Sequence, residues 1–504
     1  MFKNPVIPGF APDPSVTYWN GNYYLVNSTF EYFPGVTLWR SPDLVNWDYV
    51  SGVLSRPEQL DLSQANPSSG LYAATIRVND RGRFYVVTTN KYTLGNFVVH
   101  TDDIESGEWS DPAFITKDGI DPSLTFLPDG RCFYSSNGKA DGVKGIVGAF
   151  IDPDTGKLEG DLRLLTAGCG GPSVEGPHIY YKDGWYYLME AEGGTEYGHH
   201  EVILRSRDIF GPYEQNPHNP ILSHASRKRH PIQATGHADL IEAPDGKWWA
   251  VFLAIRVKPR PLLHHLGRET FLAPVEWKDG WPVIGDGGNV ELEYECGPEQ
   301  KTVRDYSVSF AEDLEKYPYL KLREPKDNCY FVDRKNRTLT LHGDENINYP
   351  LTHPTMLLFR QRGFRERMKV TLDLTTLTGW AGITVYLSSD YHYRMQVSRG
   401  KDSVNIELVR HVHDFEAVTE DISFYLIKDT LNLEIRSDDE NYWFYAEGMF
   451  LGKATVYGLA AEGCMNMCFT GALFGVYAES GDAVFLDGIE MESLDTDTVK
   501  EETK

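Results

Sequence analysis

Cysteine and long apolar runs are both scarce in this chain of 504 residues. The six cysteines show no regular pairing and no CxxC motif, and Cys464 and Cys468 lack partners at zinc spacing. The sequence therefore predicts no disulfide framework. No stretch reaches the length of a membrane-spanning helix, and the N-terminal segment MFKNPVIPGF has no apolar core of a signal peptide. We therefore expect a soluble, cytoplasmic protein with no membrane partner.

Basic residues are also few and scattered. The formal net charge is −25, and the longest basic block is Arg227–Arg229. Such a charge repels nucleic acids and anionic membranes, so neither is expected as a partner. A neutral substrate is neither attracted nor repelled by this negative charge.

Aromatic residues, in contrast, are abundant, at 13% of the chain with 29 Tyr and 11 Trp. One interpretation is a β-rich fold, because aromatic side chains suit pleated surfaces. The other is sugar binding, because flat rings stack on the apolar faces of sugars. Composition alone favours the first.

One hairpin motif occurs five times in the first half of the chain. Each copy is a glycine turn followed by an aromatic strand, and the copies are Asn20–Tyr24, Arg81–Tyr85, Asp129–Phe133, Asp183–Tyr187 and Asp245–Trp249. A glycine turn between apolar β-type runs is typical of a hairpin. Five hairpins at these intervals predict a five-bladed β-propeller.

The hairpin motif stops near residue 297. Alternating segments such as Thr338–His342, Ile383–Leu387 and Leu431–Ile435 follow it. They predict a β-sandwich of jelly-roll, concanavalin-like type. We therefore expect an all-β chain with a propeller over 1–296, a sandwich over 305–494 and a disordered tail over 495–504.

Acidic residues recur at one position of the repeat. Counting back eight or nine residues from each hairpin glycine gives Asp13, Ala73, Asp121, Glu175 and His237. Equivalent positions of a propeller gather around its axis, so three carboxylates and a histidine should converge there. A single Asp-Pro-Ser is explained by a local turn. Acids at matched positions in three blades favour a metal site or acid–base chemistry instead.

An acidic centre of this kind, open to a neutral substrate, is suited to the hydrolysis of glycosidic bonds. It needs one carboxyl group to protonate the leaving oxygen and a second to act on water or on the anomeric carbon. A third acid beside the proton donor would raise the donor's pKa and keep it protonated near neutral pH.

Several motifs, in order along the first 285 residues, resemble glycoside hydrolase family 43. They are Asn4–Val6, Gly9–Ser15, Ser28–Val36, Gly119–Leu124, Glu175–His178, Gly236–Leu240 and Leu266–Thr270. The remainder is similar to the C-terminal sandwich of that family's β-xylosidases. The resemblance implies that Asp13 is the general base, that Glu175 is the general acid, and that Asp121 tunes the pKa of Glu175.

The resemblance also implies further site residues. Arg268 would bind sugar hydroxyls in the deepest subsite, and Phe30 would form an apolar wall. His237 would touch a calcium ion or its water shell, so a structural Ca²⁺ at the propeller axis is an open prediction, with no cofactor required for catalysis. Tyr72 lies where the family often has tryptophan, which puts the sugar preference in doubt. Phe469, in a segment similar to a pocket-closing loop of the sandwich, would contact the substrate.

These observations predict an inverting, exo-acting enzyme of xylan degradation that releases terminal xylose from β-1,4-xylo-oligosaccharides, and also α-L-arabinofuranose from arabinoxylo-oligosaccharides. A dedicated α-L-arabinofuranosidase is the first alternative. A non-catalytic carbohydrate-binding propeller and a retaining fructan hydrolase are the others. The oligomeric state stays open, with a homo-oligomer among the alternatives.

Overall fold

The computed structural model describes residues 1–259, 262–301, 305–324, 326, 328–426 and 428–494. The tail predicted to be disordered, 495–504, lies outside these residues. The chain divides into two compact units. The first unit is formed by residues 1–262 and 268–300, and the second by residues 263–267 and the chain from Lys301 onward.

Strands dominate the chain, which confirms the all-β prediction. Up to residue 300 they are β1 (Phe2–Lys3), β2 (Ser15–Trp19), β3 (Asn22–Asn27), β4 (Tyr32–Phe33), β5 (Gly35–Ser41), β6 (Asp48–Leu54), β7 (Thr75–Val78), β8 (Phe84–Asn90), β9 (Gly95–Thr101), β10 (Ala113–Thr116), β11 (Ile120–Phe126), β12 (Cys132–Ala140), β13 (Val143–Asp152), β14 (Lys157–Thr166), β15 (Glu175–Lys182), β16 (Trp185–Glu192), β17 (His200–Ser206), β18 (Glu214–Gln215), β19 (Leu222–Ser223), β20 (Ile232–Glu242), β21 (Trp248–Arg256), β22 (Lys258–Pro259), β23 (Leu262–Leu263), β24 (Glu269–Lys278), β25 (Trp281–Ile284) and β26 (Glu293–Tyr294).

Beyond residue 300 the strands are β27 (Asp305–Ser309), β28 (Lys321–Leu322), β29 (Tyr330–Asp333), β30 (Thr338–Gly343), β31 (Thr355–Arg360), β32 (Glu366–Asp373), β33 (Ala381–Ser388), β34 (Tyr391–Arg399), β35 (Ser403–Val412), β36 (Phe415–Tyr425), β37 (Thr430–Ser437), β38 (Asn441–Ala446), β39 (Met449–Thr455), β40 (Leu473–Ala478) and β41 (Gly481–Ser493). Short 3₁₀ turns lie at Pro57–Gln59, Leu314–Lys316, Val456–Leu459 and Ala461–Gly463. In the described part of the chain, no helix has the length and apolarity that crossing a bilayer requires.

The first unit contains five antiparallel sheets that follow one another along the chain. They are β2-β3-β5-β6, β7-β8-β9-β10, β11-β12-β13-β14, β15-β16-β17-β18 with β19 also on β17, and β20-β21-β24-β25. In each sheet the first two strands are joined by one of the predicted glycine turns. The turn glycines have φ between 77° and 88°, a region that only glycine adopts readily. The five predicted hairpins are therefore confirmed.

The five sheets contact one another in cyclic order through their first strands. β2 contacts β7, β7 contacts β11, β11 contacts β15, β15 contacts β20, and β20 contacts β2. Side chains alternate between the two faces of each strand. Tyr24 and Val26 therefore pack toward the second sheet, and Tyr23 and Leu25 pack toward the fifth. The first sheet is thus buried on both faces.

The second unit consists of two packed sheets. One has the order β29-β30-β41-β32-β37-β38-β39 with β27 also on β41, and the other has the order β31-β40-β33-β34-β35-β36. Met368, Val370 and Leu372 of β32 point inward, and the polar residues between them point outward. This period of two builds one apolar core between the sheets.

Candidate active site

The predicted acids lie at the beginning of the first strands of their sheets. Asp121 is the second residue of β11, Glu175 is the first of β15, and Asp13 lies two residues before β2. His237 lies inside β20. The pairing of β11, β15 and β20 shifts register at these positions. Such irregularities re-aim a side chain out of the regular alternation.

The backbone is strained at the same positions. Asp13, Asp121 and His237 have φ of 51°, 53° and 49°, and Gly176 beside Glu175 has φ of 57°. A left-handed conformation costs a residue other than glycine about 1–3 kcal/mol, and it persists only where the surrounding structure imposes it. Three sheets therefore use one uncommon conformation at equivalent positions.

Asp13 is held as a carboxylate. Arg268 Nη1 lies 3.0 Å from Asp13 Oδ1, and the Ser28 hydroxyl donates to Oδ2 at 2.6 Å. Burial by itself would raise the pKa of Asp13, but Arg268, His237 and the Ser28 hydrogen bond outweigh burial and lower it. Asp13 is therefore an ionised proton acceptor at neutral pH.

Glu175 and Asp121 behave in the opposite way. Burial, followed by the negative charge of Asp13, raises the pKa of Glu175. Burial, Glu175 and Asp13 together raise the pKa of Asp121 well above its usual range. The two carboxyl groups titrate as a coupled pair, so their proton belongs to both. The pair keeps a proton at a pH where Asp13 has none.

Arg268 connects the acids to the aromatic residues of the site. It is buried, donates to Thr195 Oγ1 at 2.9 Å, and its guanidinium carbon lies 5.3 Å from the centre of the Phe30 ring. The Phe30 and Tyr72 ring centres are 5.7 Å apart. Burial raises the pKa of Tyr72, with smaller contributions from Asp121 and Glu175. The structure thus brings Phe30, Tyr72 and Arg268 to the three acids.

His237 also belongs to this group. Its Nδ1 lies 4.0 Å from Asp13 Oδ1, and burial lowers its pKa, so the ring is neutral. A Cβ added to Gly176 would lie 3.0 Å from His237 Cε1, so glycine permits this close approach without any shift of the ring. Calcium prefers several oxygen ligands. Among the described residues His237 belongs to no group of three side chains spaced to ligate a metal directly, so water would have to supply most contacts. The calcium site stays a prediction.

Phe469 lies in the second unit, in the irregular segment before β40, and it is half-buried there. Its predicted contact with substrate stays a prediction.

Sequence reasoning missed two polar partners in the site. Ser28 begins the motif Ser28–Val36 but had no predicted role, and Thr195 follows the Gly193-Gly194 turn after β16. Ser28 donates to a residue 15 positions away, and Thr195 accepts from a residue 73 positions away. No local pattern could have singled them out.

A buried ion pair among the first strands was also missed. Both terminal nitrogens of the Arg77 guanidinium donate to Asp239, at 2.7 and 3.0 Å, and Tyr180 and Ser15 also donate to this carboxylate. Arg77 further donates to His178 Nδ1 at 3.0 Å. Burial lowers the pKa of His178 to about 3, so this ring accepts as a neutral group. In the sequence, the only indication of this ion pair was that Asp239 lies in the motif Gly236–Leu240.

The arrangement provides one ionised carboxylate and one proton-holding carboxyl pair beside a buried arginine and two aromatic rings. That combination is suited to glycosidic hydrolysis, in which an acid and a base act on the same bond. The class of protein that the site defines is therefore a glycoside hydrolase.

Comparison with known proteins agrees with this class. The model of glycosyl hydrolases family 43 matches residues 2–282, and that of the β-xylosidase C-terminal concanavalin A-like domain matches residues 307–484. The chain belongs to glycosyl hydrolases family 43, which confirms the resemblance.

Relatives cover nearly the whole chain. A non-reducing end α-L-arabinofuranosidase of Bacteroides ovatus is 36% identical over 95% of this chain and 91% of its own length. A xylosidase/arabinosidase of Butyrivibrio fibrisolvens is 34% identical over 81% of each chain. Among solved structures, xylan β-1,4-xylosidase from Bacillus halodurans superposes with a TM-score of 0.88 and 28% identity, over 98% of this chain and 100% of that one.

Proposed function

We propose that the enzyme removes single terminal sugars, xylose or α-L-arabinofuranose, from oligosaccharides by an inverting reaction. The observation that carries the proposal is the opposite protonation of Asp13 and the Glu175–Asp121 pair around Arg268. The names of the relatives support both sugars and an action at the non-reducing end.

Each acid then has one role. Asp13 takes a proton from water as that water attacks the anomeric carbon, and Glu175 gives its proton to the leaving glycosidic oxygen. Asp121 keeps that proton on the pair near neutral pH through mutual repulsion of the two carboxylates. Arg268 binds sugar hydroxyls and keeps Asp13 ionised. Both roles require the rigid, forked set of N–H donors that a guanidinium provides.

The five sheets are proposed to be the five blades of a propeller. The cyclic contacts of their first strands support this, because a ring of sheets closed through its first strands has an axis at those strands. The three acids then lie at one end of the axis. A calcium ion beside His237 would have a structural role. We also propose that the enzyme is cytoplasmic and that it takes part in xylan breakdown.

Replacement of the acids tests the assignment. Asp13→Asn and Glu175→Gln should each lower kcat on xylobiose by roughly 10²–10⁴-fold. Glu175→Gln should lose much less on p-nitrophenyl β-xyloside, because nitrophenolate leaves without a proton, whereas Asp13→Asn should lose equally on both. The exposed Glu242→Gln is the control. If neither variant changed turnover, the assigned roles would be wrong.

Two measurements separate the alternatives. NMR of the newly released sugar should show inversion, and retention would favour the fructan-hydrolase type of mechanism instead. The ratio of kcat/KM on p-nitrophenyl β-xyloside to that on p-nitrophenyl α-L-arabinofuranoside separates the dual enzyme from a dedicated arabinofuranosidase. A carbohydrate-binding propeller would turn over neither substrate.

A further inference from the structure

Three potential metal ligands, the side chains of Cys169, Glu190 and Glu192, lie together beside strand β16 of the fourth sheet. The Cys169 sulfur and one oxygen of each glutamate are all within 4.8 Å of one another. Glu190 and Glu192 lie on the same face of β16, and Cys169 lies in the loop 167–174 that precedes β15. The catalytic roles proposed above use none of these residues.

Glu190 is the unusual member of the group. Its exposed fraction is 0%, and neither carboxylate oxygen has a hydrogen-bond partner among the residues that the structure describes. Burial and the charge of Glu192 raise its pKa to about 8. A buried carboxyl without partners costs free energy, so a native chain that keeps one calls for an explanation.

The loop is built closely around Glu192. The backbone N–H groups of Cys169 and Gly171 donate to its two oxygens. A Cβ added to Gly168 or Gly171 would lie within 2.6 Å of those oxygens, so a side chain at either position would displace the Glu192 carboxylate. Glu192 is thereby held against the loop, and the Cys169 sulfur accepts a hydrogen bond from Asn219 Nδ2 at 3.5 Å.

We propose that Cys169, Glu190 and Glu192 bind one divalent transition-metal ion, of which Zn²⁺ is the best match. A thiolate with two carboxylates suits Zn²⁺ better than Ca²⁺ or Mg²⁺, which take oxygen ligands only. Three protein ligands leave a fourth position for water. His200 is placed to orient the ligand Glu192. Its Nε2 lies 3.8 Å from Glu192 Oε2, and its Nδ1 contacts the Gly198 carbonyl oxygen.

Binding would exchange protons for the metal without any redox step. Burial, Glu190 and Glu192 raise the pKa of the Cys169 thiol to about 12, so both Cys169 and Glu190 carry protons in the metal-free protein near neutral pH. The ion would displace the thiol proton and the carboxyl proton, which leaves a complex with a net charge of −1. Affinity should therefore rise with pH.

A second group of potential metal ligands differs, because a positively charged side chain already lies among its members. His392, His411 and Glu416 of the second unit also lie within metal-binding distance of one another. There Arg394 Nη1 already contacts His392 Nε2 at 2.8 Å and Glu416 Oε2 at 3.1 Å, so a guanidinium supplies the positive charge. No such cation contacts Glu190 among the described residues.

A structural role follows from the register of the fourth sheet. Ala191, between the two glutamates, pairs with Glu175 across β15 and β16. A metal ion would fasten the loop 167–174, which leads directly into Glu175. Zinc binding can be measured without turnover, so this inference stands apart from the proposed function.

Zinc titration of the full-length chain, stripped with a chelator, tests the site. Competition with a chromophoric chelator should show one Zn²⁺ per chain, bound at least tenfold more weakly by Cys169→Ser and by Glu190→Gln. The controls Cys296→Ser and Glu242→Gln, both at exposed positions, should bind as the wild type does. Co²⁺ should give a thiolate charge-transfer band that Cys169→Ser removes.

Glu190→Gln keeps the test independent of folding failure. Glutamine has the shape of the protonated carboxyl, so this variant should fold. Zinc should raise the Tm of the wild type and leave that of Glu190→Gln unchanged. A wild type that binds no zinc, or equal zinc binding by both site variants and both controls, would overturn the proposal.

Discussion

The two units bury different chemistry at their centres. The two sheets of the second unit enclose aliphatic and aromatic side chains such as Leu372, Val385 and Phe474. The first strands of the five-sheet unit instead enclose the Arg77–Asp239 ion pair, with the proposed catalytic acids nearby in the same unit. Burial of apolar side chains stabilises a fold but supplies no chemical group that could take part in a reaction. Buried charge is costly unless it is paired, and in the first unit the Arg77 guanidinium is the counter-ion of Asp239.

The largest expected effect comes from breaking the ion pair. Asp239→Asn leaves the Arg77 guanidinium buried without its counter-ion and should lower stability by about 3–5 kcal/mol. The lowered pKa of Asp239 means that the folded chain takes up this proton less readily than the unfolded chain. The contribution of Asp239 is therefore present above about pH 3.9 and is lost as pH falls toward its folded pKa.

Urea unfolding of the wild type and the variant at several pH values measures this contribution. The stability difference should shrink as pH falls below about 4. A difference that is independent of pH would show that packing, and not charge, dominates at this position.

The matched change in the other unit is Leu372→Ala. Leu372 is fully buried between the two sheets, so the loss of its side chain should cost about 2–5 kcal/mol of stability. Because a leucine carries no charge, this cost should be the same at pH 4 and pH 7. Urea unfolding at the two pH values measures it, and a clear pH dependence would contradict the contrast between the two cores.

The smallest expected effect is a shift in the pH profile. In Asp121→Asn the Glu175 carboxyl loses its coupled partner while the charge of Asp13 remains, so the pKa of Glu175 should fall part of the way toward its ordinary value. As the proposed general acid, Glu175 must be protonated to act, so activity should be lost as pH rises through its pKa. The alkaline limb of kcat/KM should therefore move to lower pH by about 1 unit.

The pH dependence of kcat/KM on xylobiose measures this shift. The acid limb should stay in place, because Arg268 and Ser28 still hold Asp13 ionised. An unchanged alkaline limb would show that Asp121 does not tune Glu175.

The sequence by itself determined the features that a local period encodes. A glycine turn followed by an aromatic strand fixed the five hairpins, and counting back from each glycine found Asp13, Asp121 and Glu175. Alternation of apolar residues likewise predicted the strands of the second unit. These inferences needed only neighbours in the chain, because the pleat and the turn set the spacing.

Only the tertiary structure decided which distant residues share an environment. Arg77 and Asp239 are far apart in sequence, as are Asp13 and Arg268, and no periodicity links them. The same holds for Glu190, because only the folded chain brings the loop that carries Cys169 beside it. Burial and electrostatic pairing depend on every element packed around a group, so they emerge only once the sheets are assembled.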